Sequence, residues 1–204
     1  MSQTAQATPA YLASLRQDLN IDAPLLGHDL TLHSTWGLFS PRQIDAGTLL
    51  LLKHLSLAEE TAVLDVGCGY GPLGLALAAQ CPQAAVHMVD KDFVAVDYAK
   101  ANAQRNGLAN AQAYLSNGLS HVPAQMTFST VVSNIPAKVG KELLFLMLSE
   151  IEQRLQPGGQ LVVVTVNGLR QYIKRQFEAV FGNYQKLKQG KDYTGKKKKK
   201  MPLP

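Results

Sequence analysis

A short apolar run, Leu64-Asp65-Val66, leads into four closely spaced glycines, Gly67, Gly69, Gly71 and Gly74, and then, through Pro72, into an apolar helical pattern. Such a stretch folds most readily as strand, tight turn and helix. Glycine has no Cβ, so the backbone can turn sharply and come close to a ligand. Proline suits the first turn of the following helix, where a missing N–H costs nothing. The spacing Gly69-x-Gly71-x-x-Gly74 also satisfies the fingerprint for a nucleotide held at a helix N-terminus, and Asp90 follows about 20 residues downstream, where a carboxylate meets ribose hydroxyls.

The rest of the chain continues that rhythm. Apolar runs predict strands over 63–66, 85–89, 111–116, 128–133 and 161–166, separated by helical patterns over 72–80, 94–106, 141–155 and 169–181. Alternation of this kind specifies an α/β fold, a doubly wound, mainly parallel Rossmann-like sheet. Upstream, the sequence predicts a weakly held helix within residues 1–20. A short hairpin is expected over 27–39, turning near Trp36-Gly37, and a helix over 44–55 with Ser40 as N-cap and Pro41 at its first position. The organisation expected is an N-terminal extension (1–24), one globular domain (25–190) and a basic, flexible tail (191–204).

With 204 residues, 46% of them hydrophobic, the chain can bury one sizeable core. No apolar run approaches the roughly 20 residues needed to cross a bilayer, and residues 1–10 lack a basic start and an apolar signal core. A cytoplasmic setting is expected, without membrane attachment. Cys68 and Cys81 have no metal-ligand spacing, nor do the five histidines, so no metal is expected. Charge is unevenly distributed: from Arg170 onward the chain carries 11 of its 20 Lys and Arg residues against Glu178 and Asp192 alone. Such a block attracts polyanions, RNA or DNA phosphate foremost, or else serves as a solubilising tail.

Three features favour S-adenosylmethionine over a nicotinamide dinucleotide as the ligand of the glycine turn. Asp65 puts a carboxylate at the strand end, where it suits the cationic aminoacyl end of a ligand and gains nothing from a pyrophosphate. Asn117-Gly118 follows the third strand, placed to bond an adenine edge. Ser133-Asn134-Ile135-Pro136 ends the fourth strand at the carboxyl edge, where ligands of open α/β sheets bind.

These motifs, together with Gly37-Leu38-Phe39-Ser40 and Asp45-x-Gly47-Thr48, resemble the class I S-adenosylmethionine-dependent methyltransferases over about residues 36–166. Within that superfamily the chain is similar to the branch containing bacterial ribosomal RNA guanine-N2 methyltransferases and their archaeal relatives. The resemblance implies that Asp65, Gly67, Cys68, Gly69 and Gly71 line the methionine part of the cofactor. It implies that Asp90, with Lys91 beside it, holds the ribose, and that Asn117 and Gly118 lie near the adenine.

Methyl transfer from a sulfonium is an in-line displacement, so the protein's task is chiefly to position a nucleophile. The Asn134 side-chain oxygen and the Ile135 carbonyl can each accept one hydrogen of an exocyclic amine, with Pro136 restraining the backbone. Related amine methyltransferases carry Asn or Asp, Pro, Pro and an aromatic; here Ile135 replaces the first proline and Ala137 the aromatic. A base-stacking platform must then come from elsewhere, with Phe39, Trp36 and Tyr70 as candidates, and Lys138 placed to meet a substrate phosphate. The expected activity is N-methylation of an exocyclic amine of RNA, ribosomal RNA and guanine N2 foremost. The alternatives are methylation of a protein or small-molecule nitrogen, and a cofactor-binding protein without turnover.

Overall fold

The computed structural model describes residues 8–57, 62–137 and 139–199. After a seven-residue helix α1 (Pro9–Leu15), which buries none of its side chains, come strands β1 (Leu19–Leu25) and β2 (His28–Ser34) and helix α2 (Ala46–His54). The α/β succession follows as β3 (Ala62–Val66), α3 (Pro72–Gln80), β4 (Ala85–Asp90), α4 (Phe93–Arg105), β5 (Ala111–Leu115), β6 (Phe128–Asn134) and α5 (Lys141–Arg154). It closes with β7 (Leu155–Val166), a 3-10 turn (Asn167–Leu169), α6 (Arg170–Phe181), β8 (Gln185–Gln189) and β9 (Tyr193–Lys199). No helix among the described residues is long and apolar enough to cross a membrane.

Seven strands form one sheet in the order β5-β4-β3-β6-β7-β9-β8. The first five are parallel neighbours, while β9 runs antiparallel to both β7 and β8. Strand order reverses at β3, so the crevice beyond the carboxyl ends of β3, β4 and β6 is the natural ligand site. Alternation along the central strands feeds two cores. Val63, Val132, Val162 and Val164 pack with α2, α3 and α4, and Leu64, Val131, Leu161 and Val163 pack with α5 and α6. Burial on both faces explains why these strands read as near-continuous apolar runs.

The N-terminal hairpin exists but turns earlier than the sequence suggested. Its two-residue loop is Leu26-Gly27, both with positive φ (53° and 84°), the geometry that suits the twist of a tight hairpin. Trp36-Gly37 instead belongs to the loop after β2. Pro24 in β1, paired with Asp29, disguised the first strand; proline is tolerated there because the pair stands alone as a two-stranded sheet. The inward residues Ile21, Ala23, Leu25, Leu30 and Leu32 are buried. Asn102 of α4 ties the hairpin down, accepting from the His33 N–H at 2.8 Å and donating to the His33 carbonyl at 2.9 Å.

Two further expectations are corrected. Helix α2 starts at Ala46, capped by Asp45 rather than Ser40, because the Asp45 carboxylate accepts from the N–H groups of Gly47 (2.8 Å) and Thr48 (3.3 Å). The basic segment from 191 is not a flexible tail as far as Lys199: Tyr193–Lys199 is a full strand between β7 and β8. Main-chain pairing explains this, since ladder hydrogen bonds do not depend on side-chain polarity. Lys200 to Pro204, the remainder of the expected tail, lie outside the described residues.

Candidate active site

A cleft of about 660 Å³ opens at the carboxyl edge of the sheet, lined by the ends of β3, β4 and β6 and by the segments that follow them. The glycine turn forms its floor. The N–H groups of Gly67 and Cys68 both donate to the Val89 carbonyl (2.8 and 3.0 Å), folding the turn back onto β4. Gly67, Gly69 and Gly71 all have positive φ (76°, 56° and 97°), the left-handed conformation that disfavours any side chain. Gly71 is the N-cap of α3 and does not itself line the cleft; a Cβ there would meet Leu75 Cδ1 at 2.8 Å.

Two carboxylates hold this turn. Asp90 Oδ2 accepts from the Gly69 N–H at 2.9 Å and Oδ1 from the Asp92 N–H at 3.0 Å, fixing the side chain at the end of β4. Asp65 Oδ2 accepts from the Gly74 N–H at 2.9 Å. Its Oδ1 is buried with no hydrogen-bond partner among the described residues, although Asp65 lines the cleft. Burial pushes the Asp65 carboxyl up to about 7, against the pull of the Gly74 N–H and with the help of the Asp90 charge. A buried acceptor with nothing to accept from is costly, and a ligand carrying ammonium and sulfonium charge would relieve it.

At the end of β6, the Asn134 amide donates to Asp45 Oδ2 at 2.7 Å and to Thr48 Oγ1 at 3.2 Å. An ionised carboxylate only accepts, so the amide nitrogen must face Asp45. This leaves Asn134 Oδ1, unpaired among the described residues, as the acceptor available to the cleft. Asp45 is held in turn by Tyr193, whose hydroxyl donates to Oδ1 at 2.8 Å. The next peptide is anchored as well, with the Ile135 N–H donating to the Val164 carbonyl at 2.9 Å, and Ser133 Oγ donating to the Val66 carbonyl at 2.7 Å. Sequence reasoning picked out Asn134, Ile135 and Pro136 but missed Asp45, Thr48 and Tyr193 as their supports. Asp45 and Thr48 were visible as a motif without a role, and Tyr193 fell in the segment expected to be flexible.

The remaining expected residues divide. Cys68, Lys91, Asn117, Gly118, Pro136 and Phe39 line the cleft, and Phe39 is 64% exposed. Ser116 braces the adenine-side turn, its hydroxyl donating to the Gly118 carbonyl at 2.8 Å. Trp36 is not among the lining residues; the Arg42 guanidinium lies over its ring at 4.5 Å. Tyr70 also lines the cleft but has no open ring face there. Its ring is buried and its hydroxyl reaches the carbonyls of Ser40 (3.2 Å) and Gln43 (3.3 Å), strapping the 37–40 segment over the cleft. Burial, then the nearby Asp45 charge, pushes the Tyr70 hydroxyl up to about 12. Lys138 lies outside the described residues.

The sheet order, the glycine turn and the carboxylates at successive strand ends define a class I S-adenosylmethionine-dependent methyltransferase. A family model for the methyltransferase small domain matches residues 29–194, and the chain belongs to that family. Its cofactor is S-adenosylmethionine.

The uncharacterized protein YbxB of Bacillus subtilis is 36% identical over 141 residues, covering 69% of this chain and 70% of that one. Ribosomal RNA large subunit methyltransferase G of Cronobacter sakazakii is 30% identical over 164 residues, 77% of this chain and 43% of its own length. Among solved structures, the T. thermophilus 16S rRNA N2 methyltransferase RsmC, determined with AdoMet and guanosine, superposes with a TM-score of 0.80 at 30% identity. That match covers 90% of this chain and 50% of RsmC. A Pyrococcus furiosus methyltransferase shares the fold, with a TM-score of 0.67 at 22% identity over 84% of this chain and 89% of its own. The chain therefore spans about half or less of the relatives named for ribosomal RNA.

Proposed function

We propose that this protein N-methylates an exocyclic amine of RNA, with guanine N2 of ribosomal RNA as the acceptor. The observation that carries the reading is the orientation of Asn134: with its amide nitrogen committed to Asp45 and Thr48, its oxygen is left as a fixed hydrogen-bond acceptor in the cleft. An amine on a purine ring is a poor nucleophile because its lone pair is delocalised into the ring. Accepting one hydrogen at Asn134 Oδ1 and the other at the Ile135 carbonyl turns the lone pair out of that conjugation and fixes its direction. The relatives named for ribosomal RNA, one of them solved with guanosine, support guanine as the base.

When bound, S-adenosylmethionine supplies a methyl group on a cationic sulfur. On this reading Asp65 and the glycine turn hold the methionine end, Asp90 and Lys91 the ribose, and Asn117 with Gly118 the adenine. Phe39, exposed on the rim, supplies the stacking surface that Ala137 lacks, which is worth about 1 to 3 kcal/mol for a base on an aromatic ring. Pro136 stiffens the backbone beyond the acceptor carbonyl.

The test is transfer of labelled methyl groups by the purified protein to RNA from cells lacking the gene, followed by digestion to nucleosides. The label should appear as N2-methylguanosine in ribosomal RNA. Label found in protein or small metabolites, or on another base atom, would overturn the assignment of the acceptor.

A further inference from the structure

A second pocket, of about 280 Å³, lies between α6 and the last two strands, walled by Arg170, Lys174, Tyr184, Lys186 and Lys196. Its deepest cation is unusual. Lys196 is only 2% exposed, on the β9 face opposite to that of Tyr193, and its ammonium donates to the Arg170 carbonyl. That one carbonyl is a poor match for a group with three donors. The Lys196 and Lys174 ammonium groups also lie 5.4 and 5.2 Å from the centroid of the same Tyr184 ring. Glu178, 3.7 Å from Lys174, is the acidic group acting on this cluster, and it is half exposed. Burial first, then repulsion from Lys174, Arg170 and Lys186, pushes Lys196 down to about 8 against the pull of Glu178. Four converging cations with one shared carboxylate leave an excess of positive charge inside a concave wall.

The pocket's position gives this excess a use. Helix α6 follows β7 after the short Asn167–Leu169 turn, so its first residues lie at the same carboxyl edge of the sheet as the cleft. Asn134 pairs with Val164, and Val164 pairs with Gly195, so the main chain next to Lys196 lies two strands across from Asn134, with the Lys196 side chain on the α6 face and those of Asn134 and Tyr193 on the α2 face. At about 4.8 Å per strand the two main chains are roughly 10 Å apart, and a path from Asn134 to the pocket crosses the carboxyl edge of the sheet at the Asn167–Leu169 turn. An RNA strand that leaves the cleft over this edge runs onto the pocket.

We propose that this pocket is a phosphate-binding site that takes the sugar–phosphate backbone of the RNA substrate beside the modified nucleotide. The proposal rests on RNA being the substrate, as argued above. Phosphate fits the donor set because its oxygens accept from several cations at once, and Arg170 can meet two of them in parallel. The contact positions the strand and reads no base.

The experiment measures binding of a short single-stranded RNA at several salt concentrations, without methyl transfer, for the wild type and for Arg170→Ala combined with Lys186→Ala. Both side chains are exposed, so the fold should survive their loss. Lys53→Ala combined with Lys100→Ala, also exposed, removes the same charge elsewhere. The pocket variant should bind RNA at least about tenfold more weakly at low salt, with a slope of log affinity on log salt flatter by about 1.4. The control variant should change little, and S-adenosylhomocysteine should bind all three proteins alike. Equal losses in the two variants, or no loss in the pocket variant, would overturn the proposal. So would a pocket that loses stabilisation by inorganic phosphate while RNA affinity is unchanged. RNA binding that depends on the pocket, with no methyl transfer to any RNA, would instead condemn the assigned function and leave the phosphate site standing.

Discussion

The Tyr193 hydroxyl donates to Asp45 across 148 residues of sequence, and the same carboxylate accepts from the Asn134 amide. Asp45 is thus a positioning residue, and Tyr193 positions it. Replacing Asp45 by Asn offers Asn134 either a donor or an acceptor, so the amide can rotate and lose its fixed direction. Asp45→Asn should lower single-turnover methyl transfer by about 100-fold, the size expected of a misplaced reacting group. Tyr193→Phe should lower it less. Cofactor affinity, measured by calorimetry, should be unchanged in both, and the acceptor KM should move less than kcat.

Removing the acceptor itself separates binding from chemistry. Asn134→Ala should keep cofactor binding but reduce turnover about 100- to 1,000-fold, comparable to loss of a charge-stabilising hydrogen bond in an active site. Full activity in this variant would mean that the amine is held elsewhere.

The pH dependence follows from Asp65. Its folded value, about 7, lies above the ordinary 3.8, so between those limits the folded protein retains a proton that the unfolded chain releases. Stability of the free protein should therefore fall as pH rises from about 4 to about 7, and level off above. A cationic cofactor favours the carboxylate form, so binding should tighten over the same rise and release protons near pH 6. Thermal melts of wild type and Asp65→Asn, with calorimetry in buffers of different ionisation heat, check both signs. In Asp65→Asn the slope across this window should be lost.

Gly74 tests how tightly the turn is packed. A Cβ at this position would meet Met88 Cγ at 2.5 Å and Sδ at 2.6 Å, with Asp65 Oδ2 at 3.1 Å. Gly74→Ala should destabilise by about 1 to 3 kcal/mol through overpacking, read as a lower urea midpoint, and weaken cofactor binding by displacing Asp65.

A truncation after Asp192 distinguishes a strand from a tail. It strips β9 from between β7 and β8 and leaves the β7 edge unpaired. The truncated protein should lose cooperative unfolding or melt well below the full chain. A chain that melts like the parent without these residues would return the segment to the status of an appendage.

What the sequence made legible follows from which forces shape each part. The central strands announce themselves because both faces are buried, and the glycine turn because positive φ demands a residue without Cβ. Asp65, Asp90, Asn117 and Asn134 stand out in the sequence by their places at strand ends, and all four line the cleft. Strand β9 was hidden because a run of lysines carries no apolar signature, its pairing resting on backbone groups that every residue shares. The hairpin turn was hidden by Leu26, a residue rarely seen at positive φ. Asp45 was legible as part of a motif but not in its role, since that role depends on a partner 89 positions away and another 148 away.

The placement of β9 also bears on the order of assembly. The last described strand to be synthesised fills a slot between two that precede it, so β8 has no sheet to join until β9 has docked against β7. The strands that frame the cleft, β3 to β6, are all complete in the chain before β9 is made. Asn134 already has Asp45 and Thr48 as partners, and Tyr193 adds the last brace on Asp45 when β9 docks. A nascent chain still short of residue 193 would carry the cleft with Asp45 missing one of its braces, which ties the final rigidity of the cleft's wall to completion of the sheet.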